Sequence, residues 1–375
     1  MRILHLAYED KAQPGSGGGS VRTHEINRRL AGRHDVTVVT AGWPGCRDRV
    51  EDGVRYLHAG SGRTRARAFS YFARLPGVLR RHDADLVIED FGAPISTIGV
   101  PRFTDVPVVA MVQWMFAAEL GTKYRMPFRR VENWGLRPHR RFIAVSDDLA
   151  GQIADRVPGA SVQVVPNGVD DIAFTVRSDR GRFLDPRAPL VFLGRFDILH
   201  KGLDVLLEAM TRIPDRELLI AGDGPDRARL RRMTERLGLD GRVRFLGRVE
   251  GVAKYELLAS AALALIPSRF ETFGMVAVEA AAAGTPIVGS DIPCLRDVIP
   301  DTVGAKVPAG DPVALAEQVN RSLREPALLA RRSAAAREYA RGFDWTGIAV
   351  RQEAIYEEIL GATRGTDAET RRSAA

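Results

Sequence analysis

Short apolar runs recur along this chain, separated by longer stretches in which apolar residues return every three or four positions. The first half reads as strands at Ile3–Ala7, Val36–Thr40, Leu86–Glu89, Val108–Val112, Phe142–Val145 and Val162–Val165. The second half reads as strands at Leu190–Leu193, Leu218–Ala221, Val243–Phe245, Leu263–Ile266, Ile287–Val288 and Ala305–Val307. Helices in the second half are expected to begin near Gly202, Pro225, Gly251, Gly274 and Pro312. Apolar runs alternating with helical periods predict parallel sheets joined by crossover helices, and two such series predict two α/β units. V-V-P-N-G-V-D-D (Val164–Asp171) punctuates the chain. The polar, aperiodic stretch Thr175–Pro189 follows it and is the expected boundary. Units of 1–172 and 187–345 result. From Pro326 to Leu360 the pattern is helical, with Trp345, Ile348, Ile355, Tyr356 and Ile359 on the buried side. The polar end, Gly361–Ala375, is expected to be disordered.

A length of 375 residues agrees with two cores rather than one. No apolar run is long enough to span a membrane, and M-R-I-L-H-L-A-Y reads as a first strand rather than a signal peptide. Cys46 and Cys294 form no metal or redox spacing, so a reduced, cytoplasmic setting is expected. The net charge of +7 is unevenly placed. Gly121–Arg141 carries Lys123, Arg125, Arg129, Arg130, Arg137, Arg140 and Arg141 against Glu132 alone, and Arg63–His82 carries six arginines and no acid. The plain reading is a general preference for Arg; the sharper one is a cationic face for an acidic acceptor or for peripheral contact with an anionic membrane. Nucleic acid is not expected, because no helix-turn-helix, zinc finger or stacking platform accompanies the charge.

Candidate chemistry concentrates in P-S-R-F-E-T-F-G-M-V-A-V-E-A-A-A-A, Pro267–Ala283, where Glu271 and Glu279 stand with seven residues between them. The strand before and the helix after place Glu271 at a strand end. The first helical turn, Phe273, Gly274, Met275 and Val276, offers unpaired amides, an anion site by construction. Glu279 lies a turn further in. Earlier, G-R-F-D-I-L-H-K-G-L-D puts Arg195 at a strand end and Lys201 at the next helix start, a fork and a point charge suited to a diphosphate. In the first half, P-G-S-G-G-G-S (Pro14–Ser20) joins strand to helix, with Ser20 as the expected N-cap. Its spacing is neither G-x-G-x-x-G nor a Walker loop. Asp90 and Gln113 fall at carboxyl ends of strands, where open α/β sheets bind ligands. Ser146 reads as an N-cap.

Taken in order, G-R-F-x4-K-G-L-D, A-G-D-G-P, F-L-G-R-V, P-S-R-F-E-T-F-G-M-V-A-V-E-A, A-G-T-P-I-V and a late W-x9-I-Y resemble the retaining GT-B glycosyltransferases of the GT4 family. The S-G-G-G-S loop and V-P-N-G-V-D extend the resemblance to nearly the whole chain. It implies a GT-B fold: two Rossmann-like domains facing each other across a cleft, with a C-terminal helix (346–362) crossing back to the first. It further implies a nucleoside-diphosphate sugar, commonly uridine-linked, held by the second domain. Arg195 and Lys201 match the cations on the diphosphate. Glu271 matches the acid beside the transferred sugar, and Phe273 to Val276 the amides around sugar and phosphate. Glu279 matches the acid on the ribose, and Arg248 and Val249 the region beside the base. Gly18 and Gly19 match the loop that closes over the phosphates.

Two departures bear on activity. Gln113 and Trp114 stand where the family usually has His, and Asp297 replaces a usual Glu. Gln113 can bond a hydroxyl but carries no charge. Asp83-Ala84-Asp85 spells a D-x-D but precedes its strand, at the wrong end for a ligand. With Arg195 and Lys201 present, neither a metal nor another cofactor is expected. The expected reaction is retaining sugar transfer to an acceptor — glycan, lipid or small molecule — which the sequence does not identify. The alternatives are a GT-B nucleotide-sugar epimerase and an inactive nucleotide-sugar-binding protein.

Overall fold

The apolar runs assemble into two separate sheets, one in each half of the chain. The computed structural model describes residues 1–61, 64–92, 99–115 and 128–373, with the backbone alone for 64, 65, 180 and 363–373. The basic residues Arg63, Lys123 and Arg125, named above for their charge, lie outside this description.

The first unit comprises Met1–Asn167 and Trp345–Ala375. Its strands are β1 (Arg2–Leu6), β2 (Asp35–Ala41), β3 (Arg49–Glu51), β4 (Val54–Ala59), β5 (Leu86–Gly92), β6 (Val108–Trp114), β7 (Arg141–Ala144) and β8 (Ser161–Val164), in the order β3-β4-β2-β1-β5-β6-β7-β8. All neighbours are parallel except β3 with β4. That antiparallel pair lies between Thr40 and Leu86, where the apolar pattern predicts no strand. Its turn is Asp52-Gly53, both left-handed (φ 52° and 80°), as two-residue hairpins require. Continuous burial on the central strands follows from cover on both faces.

The second unit, Gly168–Asp344, holds β9 (Leu190–Leu193), β10 (Leu218–Ala221), β11 (Val243–Gly247), β12 (Leu263–Ile266), β13 (Ile287–Ser290) and β14 (Gly304–Val307). All are parallel, in the order β11-β10-β9-β12-β13-β14. The unit begins earlier than the expected boundary, and the reason is visible. The Val169 N–H donates to Phe343 O at 2.8 Å, and Val169 bridges Asp344 in parallel. The polar stretch from Thr175 is no free linker either. Arg182 within it is buried and donates to Ala261 O (2.8 Å), Gly284 O (2.7 Å) and Ser178 Oγ (2.6 Å).

The terminal helix, Trp345–Ser373, belongs to the first unit and lies against the Gly18–Leu30 helix. Arg22, buried between them, donates to Gln352 Oε1 at 2.6 Å, Asn167 Oδ1 at 2.9 Å and Pro166 O at 2.6 Å. The expected disorder from Gly361 gives way to continued helix as far as Ser373, since no proline interrupts the backbone ladder there. No helix among the described residues is long and apolar enough to cross a membrane.

Candidate active site

Both sheets reverse their strand order once, and there the connections on either side diverge and leave a crevice at the carboxyl ends. In the second unit the reversal falls between β9 and β12. The connection after β9 carries Arg195 and Lys201; the one after β12 carries Glu271 and Gly274. Four residues singled out from sequence thus meet at one end of one sheet.

The two connections are locked together. Gly202 has φ +61°, and a Cβ there would lie 2.0 Å from Pro267 O, so only glycine permits this approach. Arg269 grips Asp204 with two bonds of 2.8 Å and donates to Ile198 O at 3.1 Å, while its own amide donates to His200 O at 2.8 Å. Burial opposes ionisation of Asp204, but the Arg269 fork outweighs it and holds the carboxyl below its ordinary range. The K-G-L-D and P-S-R-F-E segments therefore form one rigid corner.

In that corner Lys201 Nζ is hydrogen-bonded to Glu271 Oε1, which also accepts from Ser268 Oγ at 2.9 Å. Both side chains are partly exposed. Cys294 Sγ donates to the Glu271 carbonyl at 3.1 Å and so fixes its backbone. Arg195 is exposed at the end of β9, and its guanidinium makes no hydrogen bond or ion pair with any described residue. Gly274 caps the Met275–Ala282 helix with φ +84°, and a Cβ there would strike Leu295 Cδ2 at 2.7 Å. The first backbone bond of this turn is Ala277 N–H to Gly274 O (2.8 Å), which leaves the amides of Gly274, Met275 and Val276 outside the ladder. Phe273 is buried and packs on Phe343.

One turn in, Glu279 Oε1 accepts from Lys254 Nζ at 2.6 Å. Lys254 is a residue that sequence reasoning missed. It lies on the Gly251–Ser260 helix, 25 positions from its partner, and no local pattern marks it. Arg248 and Val249 follow β11; Arg248 is exposed and 3.8 Å from Glu250.

The first unit's reversal, between β1 and β5, gathers its own candidates. Gln113 Nε2 donates to Gly19 O at 3.4 Å, and Thr23 Oγ1 donates to Asp90 Oδ2 at 2.7 Å while lying 3.1 Å from Gly19 O. Asp90 Oδ1 lies 3.0 Å from His5 Nε2, and His5 Nδ1 lies 2.8 Å from Asn27 Nδ2. The Asn27 amide donating to Nδ1 leaves the imidazole proton on Nε2, facing Asp90. Gly18 opens the helix, with Gly17 rather than Ser20 as N-cap; the Ser20 hydroxyl donates back to Gly17 O at 2.8 Å. Ser146 does cap its helix, accepting from Leu149 N at 3.4 Å.

The D-x-D carboxylates are held by Arg2, with Asp85 Oδ1 2.8 Å from Nη2 and Asp83 on Nη1. Among the described residues, the side chains with spacing for a metal are His24, Glu51 and Asp52, in the first unit. His24 already bonds Tyr56 Oη and Asp52.

Comparison with known proteins agrees with this layout. The model "Glycosyl transferases group 1" matches residues 179–340, and "Glycosyltransferase Family 4" matches residues 16–171. A phosphatidyl-myo-inositol mannosyltransferase of Mycobacterium leprae is 38% identical over 62% of this chain and 63% of its own length, so the match spans less than two thirds of that relative. A glycogen synthase of Mycobacterium tuberculosis is 30% identical over 97% of this chain and 96% of its own. Among solved structures, sucrose-phosphate synthase from Thermosynechococcus elongatus superposes with a TM-score of 0.83 at 22% identity, over 96% of this chain and 100% of that one. HepE of Anabaena, solved with UDP-glucose, gives 0.78 at 20% identity over the same shares. At that identity the structural likeness speaks for the fold. With both halves matched by family models and a relative aligned almost end to end, this chain belongs to family 4 of the glycosyltransferases and has their GT-B fold of two Rossmann-like domains.

Proposed function

We propose that this protein moves a sugar from a nucleoside diphosphate sugar, uridine-linked, to an acceptor hydroxyl with retention at the anomeric carbon. The observation that carries the reading is the corner at the second reversal: Arg195, the Lys201–Glu271 pair and three open amides at one sheet end. Departure of the diphosphate leaves an oxocarbenium-like centre, and fixed positive groups aimed at the departing oxygens lower that barrier by preorganisation. Arg195, Lys201 and the Gly274–Val276 amides serve as those groups, and no metal is needed. Lys201 has three N–H donors, so holding Glu271 leaves two for phosphate oxygens. Glu271 Oε1 is taken by Lys201 and Ser268, which leaves Oε2 for a sugar hydroxyl; Glu271 orients the sugar rather than attacking it. Glu279, held through Oε1 by Lys254, offers Oε2 to the ribose. Arg248 and Val249 flank the base. Asp90 and Gln113 contact the acceptor or the transferred sugar.

UDP-glucose in the HepE structure supports the uridine assignment. Thermal shift with UDP, GDP and ADP tests it, since a ligand at a hundred times its Kd adds about 2.7 kcal/mol. The reading requires a shift with UDP and slow hydrolysis of a UDP-sugar; binding without any turnover would leave a nucleotide-sugar-binding protein, and sugar interconversion an epimerase.

A lipid-linked acceptor at the inner face of the cytoplasmic membrane is the reading one surface favours. On the Phe128–Leu136 helix Arg129 and Arg130 are exposed, and Trp134, 53% exposed, lies 3.9 Å beneath the Arg102 guanidinium. Cations beside an exposed indole suit an anionic interface. Sedimentation with phosphatidylglycerol vesicles but not phosphatidylcholine vesicles is expected; equal sedimentation with both would count against it.

A further inference from the structure

On the second unit, away from the β9–β12 corner, the Phe174–Ser178 segment and the Pro326–Ala340 helix border an open cavity of about 480 Å³. Phe174, Val176, Arg177, Ser178, Ser333 and Arg337 line it, and no carboxylate does among the described residues. The Arg337 guanidinium donates to Val176 O at 3.0 Å and Phe174 O at 2.9 Å, so its contacts satisfy N–H groups but leave its charge uncompensated. Burial, then neighbouring Arg341, holds it below the ordinary arginine range. Arg182, behind the Ser178 hydroxyl, adds a second buried guanidinium bonded to backbone carbonyls rather than to an acid. Arg177 is exposed and makes no hydrogen bond or ion pair with any described residue. The acids around it are engaged elsewhere or lie outside it: Glu338 pairs with Arg341 at 3.2 Å, Asp179 near Arg182 accepts from the Gly181 amide at 2.7 Å, and Asp344 lines an adjoining hollow shared by Phe174, Arg337 and Arg341. Ser333, 2% exposed, lines the cavity, and its hydroxyl makes no hydrogen bond with any described residue.

Two arginines and a serine lining one hollow, with no carboxylate among its described lining residues, describe a receptor for a compact anion. We propose that this cavity binds the phosphoryl group of a small phosphomonoester, with Arg177 and Arg337 on its oxygens and Ser333 as a further donor. Its volume is that of a small-molecule site and exceeds what inorganic phosphate fills, and the half-buried Phe174 ring offers a face to a sugar-sized body. The location gives binding a consequence for the unit. The cavity's two walls come from the segment just after the chain enters this unit and the helix just before it leaves, beside the Val169–Asp344 bridge. A ligand here ties the unit's beginning to its end.

Isothermal titration calorimetry on the full chain tests this with three probes: ribose 5-phosphate, inorganic phosphate and free ribose. Ribose 5-phosphate should bind, free ribose should be silent, and Arg177→Gln and Ser333→Ala should each weaken binding roughly tenfold, the loss of one charge-assisted or buried hydrogen bond. The exposed Arg177 side chain makes no hydrogen bond or ion pair with any described residue, so its replacement should leave the fold in place. The Lys201→Ala variant should bind ribose 5-phosphate as the wild type does. Inorganic phosphate binding as tightly as the ester would support the anion site with free phosphate as its occupant. Loss of the signal in Lys201→Ala would assign the binding to the donor site, and unchanged affinity in both cavity variants would overturn the proposal.

Discussion

At the first reversal, between β1 and β5, the polar groups are turned inward on one another. Asn27 fixes His5, His5 and Thr23 hold Asp90, and Thr23 and Gln113 both meet the Gly19 carbonyl. The arginine of that region, Arg22, is buried and committed to three acceptors that join the first helix, Asn167 and the terminal helix. At the second reversal, between β9 and β12, the cations sit at the rim. Arg195 is exposed with its donors open, and Lys201 is held by one carboxylate oxygen that leaves most of its donors available. The same topology thus supplies one end that stabilises a fold and another that can meet an anion. What separates them is where each cation is anchored rather than how many cations are near.

The sharpest way to break that contrast is to remove a rim cation. Lys201→Ala or Arg195→Ala should lower turnover by about 10²–10³, on the order of 3–4 kcal/mol of barrier, with the melting temperature retained. Stopped assays of donor turnover beside a thermal melt read both quantities, and near-normal turnover in both variants would remove them from the site. Arg22→Leu is the mirror experiment. It strands the buried acceptors Pro166 O, Asn167 Oδ1 and Gln352 Oε1 and should cost about 3 kcal/mol of stability. Below the lowered melting temperature its affinity for UDP should be unchanged. If Arg22→Leu weakened UDP binding at a temperature where it is folded, the division of labour between the two reversals would fail.

A smaller effect sharpens the second site from within. Glu279→Gln keeps shape but removes the charge that faces Lys254, and a ribose hydroxyl then meets a weaker acceptor. UDP should bind about tenfold more weakly, on the order of 1.4 kcal/mol, with turnover at saturation little changed. A loss in turnover larger than the loss in affinity would move Glu279 from the ribose to the reacting centre.

How much of this was legible in the sequence depended on whether the cause was local. Leu190–Leu193, Leu218–Ala221 and Leu263–Ile266 form strands with the expected bounds, because strands covered on both faces read as uninterrupted apolar runs. Glu271, Lys201 and Gly274 were legible because a strand end and a helix start fix their placement. The β3–β4 hairpin was not, although Asp52-Gly53 carries the turn signal; its short strands are interrupted by Arg49, Glu51, Arg55 and His58 and lie at the sheet edge. Lys254 reaches Glu279 from another helix, and Arg182 ties the polar stretch after Thr175 to Ala261 and Gly284. Such long-range partners leave no period in the chain, which is why the second unit begins earlier than its composition suggests.

The weakest perturbation addresses the acids set apart from both reversals. Asp83 and Asp85 precede β5 at the amino end of the sheet, and Arg2 holds both. The hydrogen bonds from the Arg2 side chain and backbone lower the Asp85 pKa below the usual carboxylate range despite some burial. A depressed carboxyl contributes stability that is present above its unfolded pKa and is lost as pH falls through the folded one. Asp83→Asn combined with Asp85→Asn should therefore flatten the acid limb of the stability curve slightly and leave the neutral-pH melting temperature almost unmoved, as expected of exposed pairs. Turnover should be the same with and without EDTA, in the wild type and in the double variant alike. A metal requirement that disappears in the double variant would place a cation on this D-x-D, and the diphosphate charge would then not be left to Arg195 and Lys201 alone.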